Sequence, residues 1–169
     1  ADTVERGQIA GRLARIYEKL GDPKNAIRAL DIVRKADLED FDALNRLCEL
    51  CEKTGQWDRV AELLAERIEI EGDEEEAAGM TIKLAQILAD KLDRGDEALA
   101  ALTEFADDGH QQVRTAYVDL GDRLGWKGVV AQKLVDWWFD ARHNADRTQA
   151  LRGAFDRFSE VGREQEAIR

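Results

Sequence analysis

Residues 9–30 read IAGRLARIYEKLGDPKNAIRAL, and residues 43–64 read ALNRLCELCEKTGQWDRVAELL. Laid over one another at an offset of 34, Arg12 meets Arg46, Leu13 meets Leu47, and Glu18 and Lys19 meet Glu52 and Lys53. Gly21 meets Gly55, Ala26 meets Val60, and Leu30 meets Leu64. Ile9, Leu13, Ile16, Tyr17 and Leu20 recur at spacings of three and four, which puts them on one face of a helix. Gly21 breaks that pattern and Asp22-Pro23 restarts it. Asp22 can accept from the free amides of the next helix, while Pro23 falls at a first-turn position where its missing N–H costs nothing. Ala26, Ile27, Leu30 and Val33 then form the inner face of a second helix. Each stretch predicts an antiparallel helical hairpin, and the echo predicts a repeat.

A third copy follows with a slightly longer period. Leu84, Ala85 and Leu88 take the places of Leu47, Cys48 and Cys51, and Ala98 and Leu102 those of Val60 and Leu64. The extra residues fall before this copy and in the turn at 91–95, where insertions strain least. Beyond it, Val113, Ala116, Tyr117, Leu120 and Leu124 predict one helix, and Trp126, Val129, Val130, Leu134 and Trp137 another. Leu151, Ala154, Phe155 and Phe158 predict a last one, and no period-2 strand pattern interrupts the series. Residues 162–169, GREQEAIR, echo residues 21–28, GDPKNAIR. The reading is one repeat domain over 1–169, with units at 3–38, 41–72, 74–107 and 110–142 and an incomplete unit at 145–169. The broken last unit and the absence of Met at Ala1 predict a piece of a longer protein.

A helix–turn–helix unit of 34 residues resembles the tetratricopeptide repeat, whose pattern places Trp, Leu, Gly and Tyr on the first helix and Ala, Phe and Pro after it. The first copy fills those slots with Ala10, Leu13, Ala14 and Tyr17, then Ala26, Leu30 and Leu38. The second fills them with Leu44, Leu47, Cys48 and Cys51, then Val60 and Leu64. The Trp slot never holds Trp and no copy ends in Pro, so the chain resembles the divergent arrays of bacterial tetratricopeptide proteins. The resemblance implies an all-α, right-handed superhelical solenoid of antiparallel helix hairpins that binds a protein or peptide on its concave surface, without catalysis.

Composition narrows the partners. The 169 residues carry 36 acidic and 25 basic side chains, a net charge of −11. Duplex nucleic acid and anionic membrane surfaces both call for a cationic face, so neither is expected as a partner. No run is long and apolar enough for a membrane span, and no signal-peptide pattern opens the chain. Two cysteines make no disulfide framework and lean towards a cytoplasmic location.

Chemistry has little to stand on. Cys48 and Cys51 form a C-x-x-C, but mid-helix and in core slots, where thiols pack as small hydrophobes. A zinc site needs two further ligands at suitable spacing. His110 and His143 lie in no metal motif, and no nucleophile elbow, phosphate loop or dinucleotide fingerprint occurs. An enzyme using Cys51 or His143 would need a base beside it in a cleft. The expectation is no catalytic, cofactor or metal residue and no cofactor. The acidic run at 69–76, EIEGDEEE, reads as a helix start favoured by the macrodipole, with a cation or basic-peptide site as the alternative.

The register also places Arg12, Arg15 and Lys19, then Asn45, Arg46, Glu49 and Lys53, then Lys83 and Gln86, on the face that first helices turn towards a groove. Cations there can hold acidic groups of a partner. Gly11, Gly79 and Ile82 interrupt the family's carboxylate clamp, so that clamp is not carried over. Trp137 fits the inward stripe with Val130 and Leu134, leaving Trp138 as a candidate anchor or inter-repeat contact. The expected function is a protein-interaction module, with a structural spacer as the rival and self-association through the incomplete terminal unit as a corollary.

Overall fold

The computed structural model describes residues 2–140 and 144–162, and every regular element among them is an α-helix. The chain divides into two compact units at the turn before Gly95. The first holds α1 (Asp2–Lys19), α2 (Pro23–Ala36), α3 (Phe41–Lys53), α4 (Trp57–Ile70) and α5 (Glu74–Lys91). The second holds α6 (Gly95–Asp107), α7 (Gln111–Arg123), α8 (Lys127–Asp140) and α9 (Asn144–Glu160). Residues 163–169, which carry most of the echo of the first hairpin, lie outside the described residues, as does His143.

Hairpin turns repeat the same chemistry. Gly21 and Gly55 adopt φ of 68° and 72°, the left-handed region that glycine enters without a Cβ penalty. The residue after each glycine donates back to the last full turn, Asp22 N–H to Tyr17 O and Gln56 N–H to Cys51 O, both 2.9 Å. Gly21 N–H and Gly55 N–H reach Glu18 O and Glu52 O at 3.1 Å. These are Schellman closures in a 34-residue register, and they satisfy the carbonyls a helix end leaves open. The second unit closes α7 the same way, Trp126 N–H to Gly121 O at 2.8 Å with Gly125 at φ 76°. In the longer turn that follows α5, Asp93 takes the left-handed conformation instead.

Helix starts follow equally local rules. Asp22, Asp40 and Asp73 cap α2, α3 and α5 by accepting from Asn25, Ala43 and Glu76 N–H. The acidic run therefore is a helix start, with Glu74, Glu75 and Glu76 in the first turn of α5.

Within the first unit, α1 packs on α2, α3 packs on both α2 and α4, and α5 packs on α4. Small residues bring α1 and α2 close: Gly7, Ala10, Ala14 and Ala26 are buried, and a Cβ on Gly7 would stand 2.8 Å from that of Ala36. Leu30, Leu47, Cys51 and Val60 are fully buried in this unit. In the second unit the largest fully buried side chains are Leu102, Val113, Val130 and Phe158, and α8 packs closely on α9. Arg67 is buried too, its guanidinium 3.8 Å from the Phe41 ring centre and ion-paired with Glu71.

One sequence-level reading changes. The stripe Ile9, Leu13, Ile16 and Leu20 on α1 stays substantially exposed, and the helix is buried through its glycine and alanines instead. Leu38, placed in a family slot, is exposed as well.

Candidate partner-binding surfaces

The strip of polar residues on α1, α3 and α5 is drawn together by two ion pairs. Arg46 donates to both carboxylate oxygens of Glu18 at 3.0 Å, and to Asp42 on its own helix. Lys83 reaches Glu52 at 2.5 Å. Burial works against the Arg46 charge, but the hydrogen bonds to Glu18 and Asp42 outweigh it and hold the group above its ordinary value. The bond to Glu52 likewise raises Lys83. Both cations are thus engaged by carboxylates of the same chain. Arg12, Arg15 and Lys19 on α1 stand exposed, as do Asn45 and Gln86, while Glu49 pairs with Lys53 at 3.7 Å. The strip presents free cations at its α1 end and mixed, partly neutralised polar groups along α3 and α5.

The second unit carries a concave feature that sequence reasoning missed. A cleft of about 260 Å³ opens over α8, between α7 and α9. Leu134 and Trp137 of α8 form its floor, with Val118 from α7 and Ala150 and Gly153 from α9. Gln111, Arg114, Thr115, Asp119, Gln149 and Arg157 contribute the polar atoms around it. Its two guanidinium groups are held in place. Arg114 donates to Ala106 O at 2.7 Å and lies 4.9 Å from the Trp137 ring centre. Arg157 forms a two-point pair with Asp122 of α7 at 2.9 and 2.5 Å. Trp137 donates its indole N–H to Asp107 at 2.8 Å and meets Tyr117 edge-on at 5.5 Å. Burial pushes the Asp107 carboxyl up, but the hydrogen bonds from Lys133 and Trp137 outweigh it and hold it below its ordinary value.

Comparison with protein families matches residues 10–40, α1 from Ala10 through α2 to Asp40, to the model described as tetratricopeptide repeat. The chain carries a tetratricopeptide repeat. Comparison with curated proteins returns no match. The matched hairpin is the one whose turn, cap and close helix approach are described above, and the α3–α4 hairpin repeats its closure at the same register. Tetratricopeptide repeats generally mediate protein–protein contacts.

Cys48 and Cys51 are free and buried in the α3 face that Ala14 and Tyr17 occupy in the matched repeat. Burial pushes the Cys48 thiol up to about 11 and raises Cys51 as well, opposite to the shift a reactive thiol needs. His110 precedes α7 and meets Phe105 edge-on, their ring centres 6.4 Å apart. Trp137 is buried as its stripe implied, and Trp138 is half-buried with its ring 4.6 Å from that of Phe139. Phe139 is the most exposed of the three aromatics. No helix among the described residues is long and apolar enough to cross a membrane.

Proposed function

We propose that this chain is a non-catalytic interaction module whose first helices receive an extended segment of a partner protein. The observation that carries the reading is the α7–α9 cleft, since an apolar floor inside a polar rim with two anchored guanidinium groups is the composition of a side-chain pocket. An apolar side chain of the partner sits over Leu134 and Trp137, while Gln111, Thr115 and Gln149 meet its backbone. On the first unit, Asn45 and Gln86 offer amides to the same kind of segment, and Arg12, Arg15 and Lys19 hold acidic groups. The buried free thiols fit a reducing compartment. The test is to fill the cleft with Ala150→Trp and to capture partners from native lysate beside the parent chain. A protein retained by the parent and lost from the variant, with unchanged circular dichroism, supports the reading. Identical retention by both refutes the cleft as the site.

A spacer is the second reading, and the internal pairing of Arg46 and Lys83 favours it, because those cations are spent within the array. A spacer retains no partner with either chain.

A further inference from the structure

One deeply buried side chain of the second unit keeps a polar atom without a partner. Tyr117 of α7 is 5% exposed, with its ring edge-on to Trp137, yet its hydroxyl makes no hydrogen bond with any described residue. A phenol buried that deeply ordinarily finds a partner, because an unsatisfied polar group is costly. Tyr117 borders a shallow depression on α8, apart from the α7–α9 cleft, and its oxygen stays open to solvent there. Trp126, just ahead of α8, and the exposed Val129 give this depression its apolar surface. Gln132, Lys133 and Asp136 give it a polar one, and all of these residues belong to the single hairpin of α7 and α8.

The polar side selects the sign of what binds. Lys133 gives its ammonium to Asp107 at 2.7 Å, and Gln132 donates its amide to one oxygen of Asp136 at 3.1 Å. Those donors are spent on carboxylates of the same chain. What stays open is acceptors: the second oxygen of the exposed Asp136, the Gln132 carbonyl and the Tyr117 oxygen. Two carboxylates, Asp107 and Asp136, stand here against one ammonium, and both bear on Tyr117. Burial raises the phenol above its ordinary value and the two charges raise it further, so it stays neutral in a negative field. Open acceptors beside an indole and a phenol suit a cation, which aromatic faces also attract. The first unit shows that preference satisfied: Trp57 opens α4, and the Lys91 ammonium lies 5.1 Å from its ring centre. Trp126 carries no such cation among the described residues, and its neighbour Lys127 is taken by Glu160.

We propose that this depression receives an arginine side chain of a partner protein, with its guanidinium on Trp126 and donating to the Tyr117 oxygen and the open oxygen of Asp136. Arginine fits better than lysine, because its planar fork stacks on a ring while reaching two separate acceptors. The inference rests on the reading of the chain as an interaction module and does not need the α7–α9 cleft.

The probe is N-acetylarginine methylamide, titrated into the isotopically labelled full chain while nuclear magnetic resonance follows the indole N–H signals of its 4 tryptophans. Trp126→Phe assigns the signal of interest. The expected result is a saturable shift of that signal, with a dissociation constant of about 1–10 mM and smaller shifts at the other indoles. The citrulline analogue keeps the shape, loses the charge and binds about fivefold more weakly or worse. Tyr117→Phe keeps the ring and deletes only the oxygen, and Asp136→Asn changes an exposed side chain. Each weakens arginine binding about threefold to tenfold, with circular dichroism unchanged. Ala150→Trp, folded as the parent is, leaves arginine binding unchanged, so failure of the cleft and failure of this site are read separately. A Trp126 signal that does not move overturns the proposal, as does equal binding of citrulline. Binding that ignores both Tyr117→Phe and Asp136→Asn overturns it too, because cations then collect generally on a chain of net charge −11. Loss of binding in Ala150→Trp would move the arginine to the α7–α9 cleft and overturn it as well.

Discussion

Leu13, Leu47 and Leu84 occupy one repeat position at three degrees of burial, so truncating each to Ala converts exposure into stability within one compact unit. Leu47 is fully buried between α2 and α4, and removing its side chain loses the transfer energy of the deleted carbons and leaves a cavity. Such sites cost about 3–4 kcal/mol, and Leu84→Ala is expected close behind at about 3 kcal/mol. Leu13 loses about as many carbons, but 42% of the residue already faces solvent and water fills the space, so no cavity remains. Its transfer loss is about 1 kcal/mol, part of which the better helix propensity of Ala returns. Urea unfolding followed by far-ultraviolet circular dichroism, at low protein concentration, reads these as midpoint shifts at constant m. The expected order is Leu47→Ala, then Leu84→Ala, then Leu13→Ala, with a gap of about 2 kcal/mol between the first and last. A Leu13→Ala cost equal to that of Leu47→Ala would refute the link between exposure and cost at this repeat position.

Glycines in two environments separate crowding from propensity. A Cβ on Gly121 falls onto the Val130 side chain, so Gly121→Ala costs about 1–3 kcal/mol, whereas Gly79→Ala on the exposed side of α5 meets nothing and gains up to about 1 kcal/mol. Thermal melts of the two variants should move in opposite directions. The Cys48 thiol, raised by burial from 9.0 to about 11, contributes stability that is full below pH 9 and lost as pH climbs towards 11. A urea midpoint tracked across that window should fall less in Cys48→Ala than in the parent, and a thiol reagent at pH 8 should label Cys48 only on unfolding. Asp107→Ala leaves the Trp137 indole N–H and Lys133 without their acceptor and should cost about 1–2 kcal/mol at neutral pH. Because the Asp107 carboxyl is held below its ordinary 3.8, that difference should be full above pH 4 and shrink as the pH drops further, measured by the same unfolding curves.

The hairpins were legible because their determinants are local. A glycine in the left-handed region, an aspartate cap and a three-four apolar spacing sit within one turn of the residues they control, so Gly21, Asp22 and Leu30 declare themselves in the string. Exposure of the α1 stripe was not legible, for Leu13 and Leu47 are the same letter in the same register, and the difference lies in packing: α1 packs on α2, α3 on both α2 and α4. The strip of cations was read as a run of charges along one face, without the acids that pair with two of them. Arg46 and Lys83 have acids 28 and 31 residues earlier, at the ends of the preceding first helices. The 34-residue register contained that pairing, but a count of cations along one face did not use it. The α7–α9 cleft depends on how far apart two helices stand above α8, a tertiary distance that spacing along the chain does not encode. Gly153 opposite Leu134 was its faint signal, a small residue where a larger one would close the gap.

Two kinds of contact divide the labour of setting neighbouring first helices beside one another. Half-exposed ion pairs of the Glu18–Arg46 kind contribute about 0.2–1 kcal/mol each, far less than the burial of four large apolar side chains. Apolar burial is indifferent to sliding by a turn, because a three-four stripe offers the same surface one turn along. A carboxylate that must reach one guanidinium is not indifferent. In the first unit the cation lies near the middle of the next first helix, at Arg46 and Lys83, whereas in the second Arg157 meets Asp122 near the C-terminal end of α9. The same acid position thus accepts cations at different heights, and the height fixes how neighbouring helices are offset. Arg46 therefore sets α3 beside α1 at one offset, and Arg157 sets α9 beside α7 at another.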